Sequence, residues 1–387
     1  MVASKRGNIL SESITMSITA LAKELKAEGK DILSFSAGEP DFDTPQIIKD
    51  EAIKAINEGF TKYTAVDGIP EVKDAIINKL KRDNNLDYQR KDIIVSNGAK
   101  HSLFNLFQAV INDGDEVIIP APYWVTYPEL VKYSGGKVIE IETSDKTSFK
   151  ITPEQLKNAI SEKTKMLILT TPSNPTGSIY SKSELEALAE VLKGTKIFVA
   201  SDEMYEKLVY ESEFCSVASI SDDMFNRTIT INGLSKSVAM TGWRFGYLAT
   251  PNSDLISAMK KLQSQSTSNI NSITQKASVV GLSPAIDSEI AKMVVAFKER
   301  RNYAVESLNK VKGISVLKPD GAFYLFANIS EISNDSLTFA KDLLAEKGVA
   351  VVPGVAFGSE GYIRLSFATD LETIKNGIQR IKEFVEN

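Results

Sequence analysis

The stretch KMLILTTPSNPTGSIYSKSELEALAEVLKGTKIFVASDEMYE, residues 165–206, decides the fold. It reads as a continuous apolar run, a polar turn, an amphipathic helical pattern over SELEALAEVL, and a second apolar run, TKIFVAS. Two apolar runs of strand length joined by a helix are the signature of a parallel crossover, whose strands are buried on both faces. Outward from it, DIIVS (92–96), GDEVIIP (114–120), GKVIEIE (136–142) and RTITING (227–233) repeat the strand pattern, with helical stretches such as HSLFNLFQAV (101–110) between them. The alternation predicts an α/β fold with a mostly parallel, doubly wound sheet.

The ends of the chain read differently. Ile18, Leu21, Ala22 and Leu25 recur at helical spacing, and Gly29 closes that helix. DILSFSAG (31–38) is a short strand, and AGEPDFDTP (37–45) is a turn-rich link in which Pro45 suits the first position of a following helix. Past Pro284, a long helical pattern over 289–311 leads into GISVLKP, GAFYLFANI and GYIRLSFA, strand-like segments of a smaller α+β unit.

Bulk properties exclude several function classes. A chain of 387 residues is too long for one ordinary core and suits two domains. A net charge of −5 with no basic run argues against a nucleic-acid partner. One cysteine, Cys215, and one histidine, His101, cannot build a Cys/His metal site or an internal disulfide, and the expected location is the cytoplasm. No run reaches the roughly 20 apolar residues of a membrane span. His101 and Cys215 are read as packing or surface residues, and GVAVVPGVAFG (348–358) as a strand and loop, since it lacks the spacing of a phosphate loop.

In a parallel sheet the chemistry gathers beyond the carboxyl ends of the strands. There the sequence places PSNPTG with Asn174, DEMY with Asp202 and Tyr205, and LSKS with Ser235 and Lys236, followed by Arg244. Singly, each has a plain structural reading: a turn, a helix cap, a surface lysine. Together they supply what pyridoxal phosphate chemistry needs. A lysine can carry the cofactor as a Schiff base, and an acid can hold the ring nitrogen protonated. An amide and a phenol can hydrogen-bond the ring's phenolate oxygen. A serine, an arginine and the helix start at SNGAK can hold a phosphate.

With these residues the chain resembles the fold-type I aminotransferases, class I, of the bacterial aspartate aminotransferase type. The resemblance spans the chain: AGEPDFDTP, YTAVDG, SNGAK, APYWVTYP, PSNPTG, SDEMYE, SKSVAMTGWRFGY and IRLSFA occur in the family's order. It implies a large domain, 46–284, built on a seven-stranded sheet, and a small domain formed by 1–45 with 285–387. It implies pyridoxal 5'-phosphate as cofactor and Lys236 as the catalytic residue, first tethering the cofactor and then moving a proton. Asp202 would pair with the ring nitrogen, Asn174 and Tyr205 with the phenolate oxygen, and Trp124 would stack on the ring. Ser235, Arg244 and the backbone around Gly98, Ala99 and Lys100 would hold the phosphate. Gly38 would meet the substrate through its backbone, and Arg364 would pair with the α-carboxylate in the two-pronged geometry that suits guanidinium. Tyr63 would reach the partner's phosphate across a homodimer.

The substrates implied are an amino acid and a 2-oxo acid exchanged by ping-pong kinetics. Lys100 points to a distal carboxylate, hence aspartate or glutamate. Aminotransferases for aromatic, alanine, methionine or prephenate substrates, a C–S or β-lyase, and a cyclopropane-carboxylate synthase share the same cofactor residues. Members acting on prephenate carry a lysine near the N-terminus where this chain has Ser11, which argues against that substrate. A cofactor-sensing DNA-binding regulator is disfavoured, because no basic helix-turn-helix precedes Ala37.

Overall fold

The computed structural model describes residues 4, 5 and 7–386. Its centre is a seven-stranded sheet of β1 (Ile93–Asn97), β2 (Glu116–Ala121), β3 (Lys137–Glu142), β4 (Thr164–Thr170), β5 (Phe198–Asp202), β6 (Thr228–Gly233) and β7 (Phe245–Ala249). The spatial order is β1-β7-β6-β5-β4-β2-β3. Every pairing is parallel except the two that β7 makes, with β1 and with β6. Residues of β6 are all buried, as are Ile93–Ser96 of β1 and Met166–Leu169 of β4, because helices cover both faces and water reaches neither.

Four helices of the N-terminal part matter below: α1 (Ile14–Ala27), α2 (Gln46–Asn57), α3 (Pro70–Asn84) and α4 (Ala99–Val110). Ser13 caps α1 through its side chain, and Gly29, at φ 85°, follows its end as expected. Two boundaries differ from the sequence reading. Pro45 stands at the cap position of α2, one residue before its first turn. Helix α4 begins at Ala99, two residues before the apolar pattern starts, since Gly98 at φ 83° turns the chain straight from β1 into the helix. Ala99 and Lys100 are therefore first-turn helical residues with N–H groups that no intrahelical carbonyl can satisfy. The helix over 182–192 starts on a reciprocal capping box between Ser181 and Glu184, which explains why the turn after β4 ends where it does.

A second, four-stranded sheet holds β8 (Ser315–Val316), β9 (Tyr324–Asn328), β10 (Val352–Pro353) and β11 (Tyr362–Ser366), in the order β10-β11-β9-β8. The strand expected over 313–319 shrinks to two residues, and that of DILSFSAG to Leu33–Ser34. The latter pairs in parallel with Val349–Ala350, fastening the N-terminal segment to the C-terminal part of the chain. No helix among the described residues is long and apolar enough to cross a membrane.

Candidate active site

Register brings the carboxyl ends of the parallel strands to one edge. Thr170 of β4 lies beside Asp202 of β5, and Asp202 beside Ile231 of β6, whose chain then runs on to Ser235 and Lys236. Above this edge opens a cleft of about 660 Å³, the size of a small-molecule site. Its walls include α1, the loop at Gly38, the start of α4, and the strands β9 and β11 of the second sheet.

Asp202 is 5% exposed. Its Oδ1 accepts the backbone N–H of Met204 at 3.2 Å and its Oδ2 the hydroxyl of Tyr127 at 2.7 Å. Loss of solvent raises its pKa, while Tyr127, Met204 and Lys236 pull it down. Tyr127 lies on α5 (Thr126–Tyr133) and also shares a 2.8 Å hydrogen bond with Thr170. With its proton given to Asp202, it accepts from the Thr170 hydroxyl. Tyr127 belongs to the motif APYWVTYP, yet its position in the sequence assigns it no task; the aromatic cluster after β2 is the one signal that could have found it.

Lys236 donates to the carbonyl of Gly38 at 2.5 Å. Loss of solvent lowers its pKa to about 8; Glu39 opposes the drop, and Arg364 and Arg244 add to it. An amine so placed is neutral in a usable fraction near neutral pH, the form in which it is a nucleophile or base. Glu39, unassigned by the sequence reading, also lines the cleft and accepts from the Thr241 hydroxyl at 2.9 Å.

Arg364 on β11 is 2% exposed. It donates to Asn174 Oδ1 at 3.0 Å and to the carbonyl of Ser36 at 2.8 Å, and lies between the rings of Tyr324 and Phe357. Its Nε is buried and has no hydrogen-bond partner among the described residues. Loss of solvent draws its pKa below the usual guanidinium range. Tyr324, a further residue the sequence reading does not assign, bonds Tyr205 hydroxyl to hydroxyl at 2.8 Å.

At the start of α4 the charges have one sign. Arg244 holds φ 59° and donates to the carbonyl of Thr241 at 2.8 Å. A Cβ on Gly98 would come within 2.6 Å of its Nη2, so the glycine makes room for the guanidinium against the helix end. Lys100 reaches over the Trp124 ring, 4.9 Å from its centroid, and loss of solvent followed by Arg244 pushes its pKa down. Two cations at the positive end of a helix repel it and each other unless an anion joins them. Neither has an ion-pair partner among the described residues, so the arrangement fits a phosphate or carboxylate ligand.

Of the residues singled out from sequence, Gly38, Ala99, Lys100, Trp124, Asn174, Asp202, Tyr205, Ser235, Lys236, Arg244 and Arg364 all line this cleft. Gly98 stands just behind its wall. Tyr63 is not brought there: it is 91% exposed. Ser11 lies outside the lining too, its N–H donating to Glu129. His101 turns back to accept the N–H of Asn97 at 3.1 Å, and loss of solvent lowers its pKa, in keeping with a packing role.

Comparison with known proteins adds to this geometry. Residues 30–381 match the family model described as aminotransferase class I and II. The aspartate aminotransferase of Bacillus subtilis is 48% identical, over all of this chain and 99% of the relative. The aspartate/prephenate aminotransferase of Nitrosomonas europaea is 46% identical, over 98% of this chain and 99% of the relative. Among solved structures, aspartate aminotransferase from Thermus thermophilus with maleate superposes with a TM-score of 0.95 at 40% identity, covering 99% of each chain. The family implies pyridoxal phosphate, and a lysine, a buried acid and a helix end flanked by cations would fit such a group. The chain belongs to the class I and II aminotransferases.

Proposed function

We propose that the chain moves the amino group of aspartate or glutamate to a 2-oxo acid, with oxaloacetate and 2-oxoglutarate as the paired oxo acids and pyridoxal 5'-phosphate as cofactor. The observation that carries this reading is the set of cations in one cleft that have no carboxylate partner among the described residues: Lys100, Arg244 and buried Arg364. The two carboxylates of such an amino acid and a phosphate together supply the missing negative charge.

The chemistry that pyridoxal phosphate brings when bound is a sink for the electrons of the substrate's Cα–H bond. The chain's own residues do the rest. Lys236 would hold the cofactor and, as a free amine, would carry the proton from the substrate Cα to the cofactor carbon that takes up the amino group. Asp202, fixed by Tyr127 and the Met204 N–H, holds a proton on the ring nitrogen. Asn174 and Tyr205 donate to the phenolate oxygen, and Trp124 covers the ring. Ser235, Arg244 and the first-turn N–H groups of Ala99 and Lys100, which follow the cap residue Gly98, would hold the phosphate. Arg364 orients the α-carboxylate, the Gly38 backbone borders the substrate, and Lys100 meets the distal carboxylate.

The same reading treats 46–284 as the cofactor domain and 1–45 with 285–387 as the substrate-side domain. It also includes a homodimer in which exposed Tyr63 completes the partner's phosphate site, and a cytoplasmic location. The relatives' names include prephenate as a second substrate; the absence of a lysine at Ser11 favours aspartate.

The test is to add the cofactor to purified protein and follow the visible spectrum as single amino acids are supplied without an oxo acid. Aspartate and glutamate, but not alanine or phenylalanine, should convert the spectrum, with oxaloacetate or 2-oxoglutarate released. Ammonia and pyruvate without conversion would favour a lyase, and a protein that takes up no cofactor would refute both.

A further inference from the structure

Among the described residues the hydroxyl of Tyr205 has one hydrogen-bond partner, and it comes from the other sheet. Tyr324, on β9, is 1% exposed, and the two phenol oxygens stand 2.8 Å apart. Each phenol carries a single proton. If Tyr205 spends its proton on Tyr324, it has none for a phenolate oxygen in the cleft. If Tyr324 donates instead, Tyr205 keeps its proton, and accepting a hydrogen bond makes it a stronger donor.

Three observations select the second arrangement. The guanidinium of Arg364 lies 4.4 Å from the centre of the Tyr324 ring, where a cation draws electron density from the phenol and sharpens its acidity. Gly38 packs its backbone against this hydroxyl, close enough that a Cβ would sit 3.3 Å from it, and no other acceptor within the described residues takes the Tyr324 proton. Burial raises both phenols and Arg364 opposes it at both, as the first counterweight at Tyr324 but behind the upward push of Tyr324 at Tyr205. The stronger acid of a hydroxyl pair is the donor.

We infer that Tyr324 is a positioning residue that fixes the direction of the Tyr205 proton, so that Tyr205 always presents a donor to the cofactor's phenolate oxygen. The inference rests on the proposed cofactor. The charged groups around the pair are Arg364 from β11, Glu39 from the loop before α2, Asp202 at the end of β5 and Lys236 beyond β6. All of them are kept in the variants that test it.

The experiment is a double-mutant cycle on cofactor-loaded protein, reading the pH midpoint of the bound cofactor's visible absorbance. Removing the Tyr205 donor with Tyr205→Phe should raise the midpoint by roughly one to two pH units, the worth of a hydrogen bond to a charged oxygen. Tyr324→Phe keeps the buried ring and should raise it by roughly half a unit, the share due to polarisation. Tyr205→Phe with Tyr324→Phe should match Tyr205→Phe alone, because Tyr324 acts only through its neighbour. Circular dichroism and cofactor stoichiometry check that each variant folds and loads. An unchanged midpoint in Tyr324→Phe, or shifts that add in the double variant, would overturn the role of Tyr324 alone. Wild-type protein that takes up no cofactor would instead overturn the proposed function, and this role with it.

Discussion

Two charged regions lie within one turn of the same sequence, SDEMYE, and handle charge in opposite ways. On the cleft side, Asp202 faces Lys236, and Arg364, Arg244 and Lys100 stand nearby without carboxylate partners. On the far side, Glu206 is closed into a cluster in which every charge has a partner of opposite sign. It pairs with Lys79 of α3, both side chains nearly buried, and accepts from Asn84 at 2.7 Å. Lys79 also donates to Asn84 Oδ1 at 2.7 Å, while Asp83 is shared by Arg82 and Lys207 at 2.8 Å each. Matched charge in the interior offsets its own desolvation and fixes how α3 meets the sheet. Unmatched charge in a concavity is a cost the fold carries until a ligand neutralises it.

The contrast can be broken first at Lys236. Lys236→Ala should cut transamination of aspartate by at least about 10⁴-fold in single-turnover assays, while the unfolding midpoint holds or rises, because a desolvated cation is gone. Wild-type turnover in that variant would end the assignment. Glu206→Gln should do the reverse. Leaving Lys79 buried without its countercharge should cost about 3–5 kcal/mol in urea denaturation, with kcat/KM of the folded fraction within roughly threefold of wild type. A stable but inactive Glu206→Gln would move the cluster into the site.

A smaller effect sharpens the cleft side. Lys100→Ser should raise KM for aspartate about tenfold and KM for an apolar amino acid less than about twofold, as expected for one solvent-facing charge pair. Equal changes would remove Lys100 from substrate choice. The smallest effect is a pH slope. A lysine with its pKa lowered to about 8 becomes neutral at lower pH than an ordinary one. Cofactor capture by the apoprotein should therefore rise only about fourfold between pH 7.5 and 9.5 and then level off, where a lysine of ordinary pKa would give a rise of roughly 90-fold. Stopped-flow absorbance distinguishes the two.

Most of the site is legible in the sequence because its residues follow strands. Asn174, Asp202, Ser235 and Lys236 each come directly after an apolar run, and a parallel sheet must bring such positions to one edge. Arg364 is legible only through its motif: it belongs to the second sheet, and its bond to Asn174 spans 190 residues. Tyr127 and Glu39 stand inside recognisable motifs without a task, since a tyrosine or glutamate after a turn has no periodicity that says which oxygen it will meet. The apolar pattern places the start of α4 two residues late because Ala99 and Lys100 lie outside it, and the left-handed Gly98, not hydrophobic spacing, begins the helix.

Local pattern thus suffices for the six strands that run parallel in the main sheet, though not for the antiparallel β7, and for the lysine, the acid and Arg244 that could serve a phosphate-bearing cofactor. Strand and helix periods are set by neighbours a few residues apart, which a sequence displays directly. The tertiary structure alone decides which charges are matched and which are not. It sends Glu206 to Lys79 and leaves Lys100 and Arg244 open, and it sets Tyr324 against Tyr205. Ion pairing and proton direction depend on distances of a few ångströms between residues far apart in sequence, and those exist only once the chain is packed.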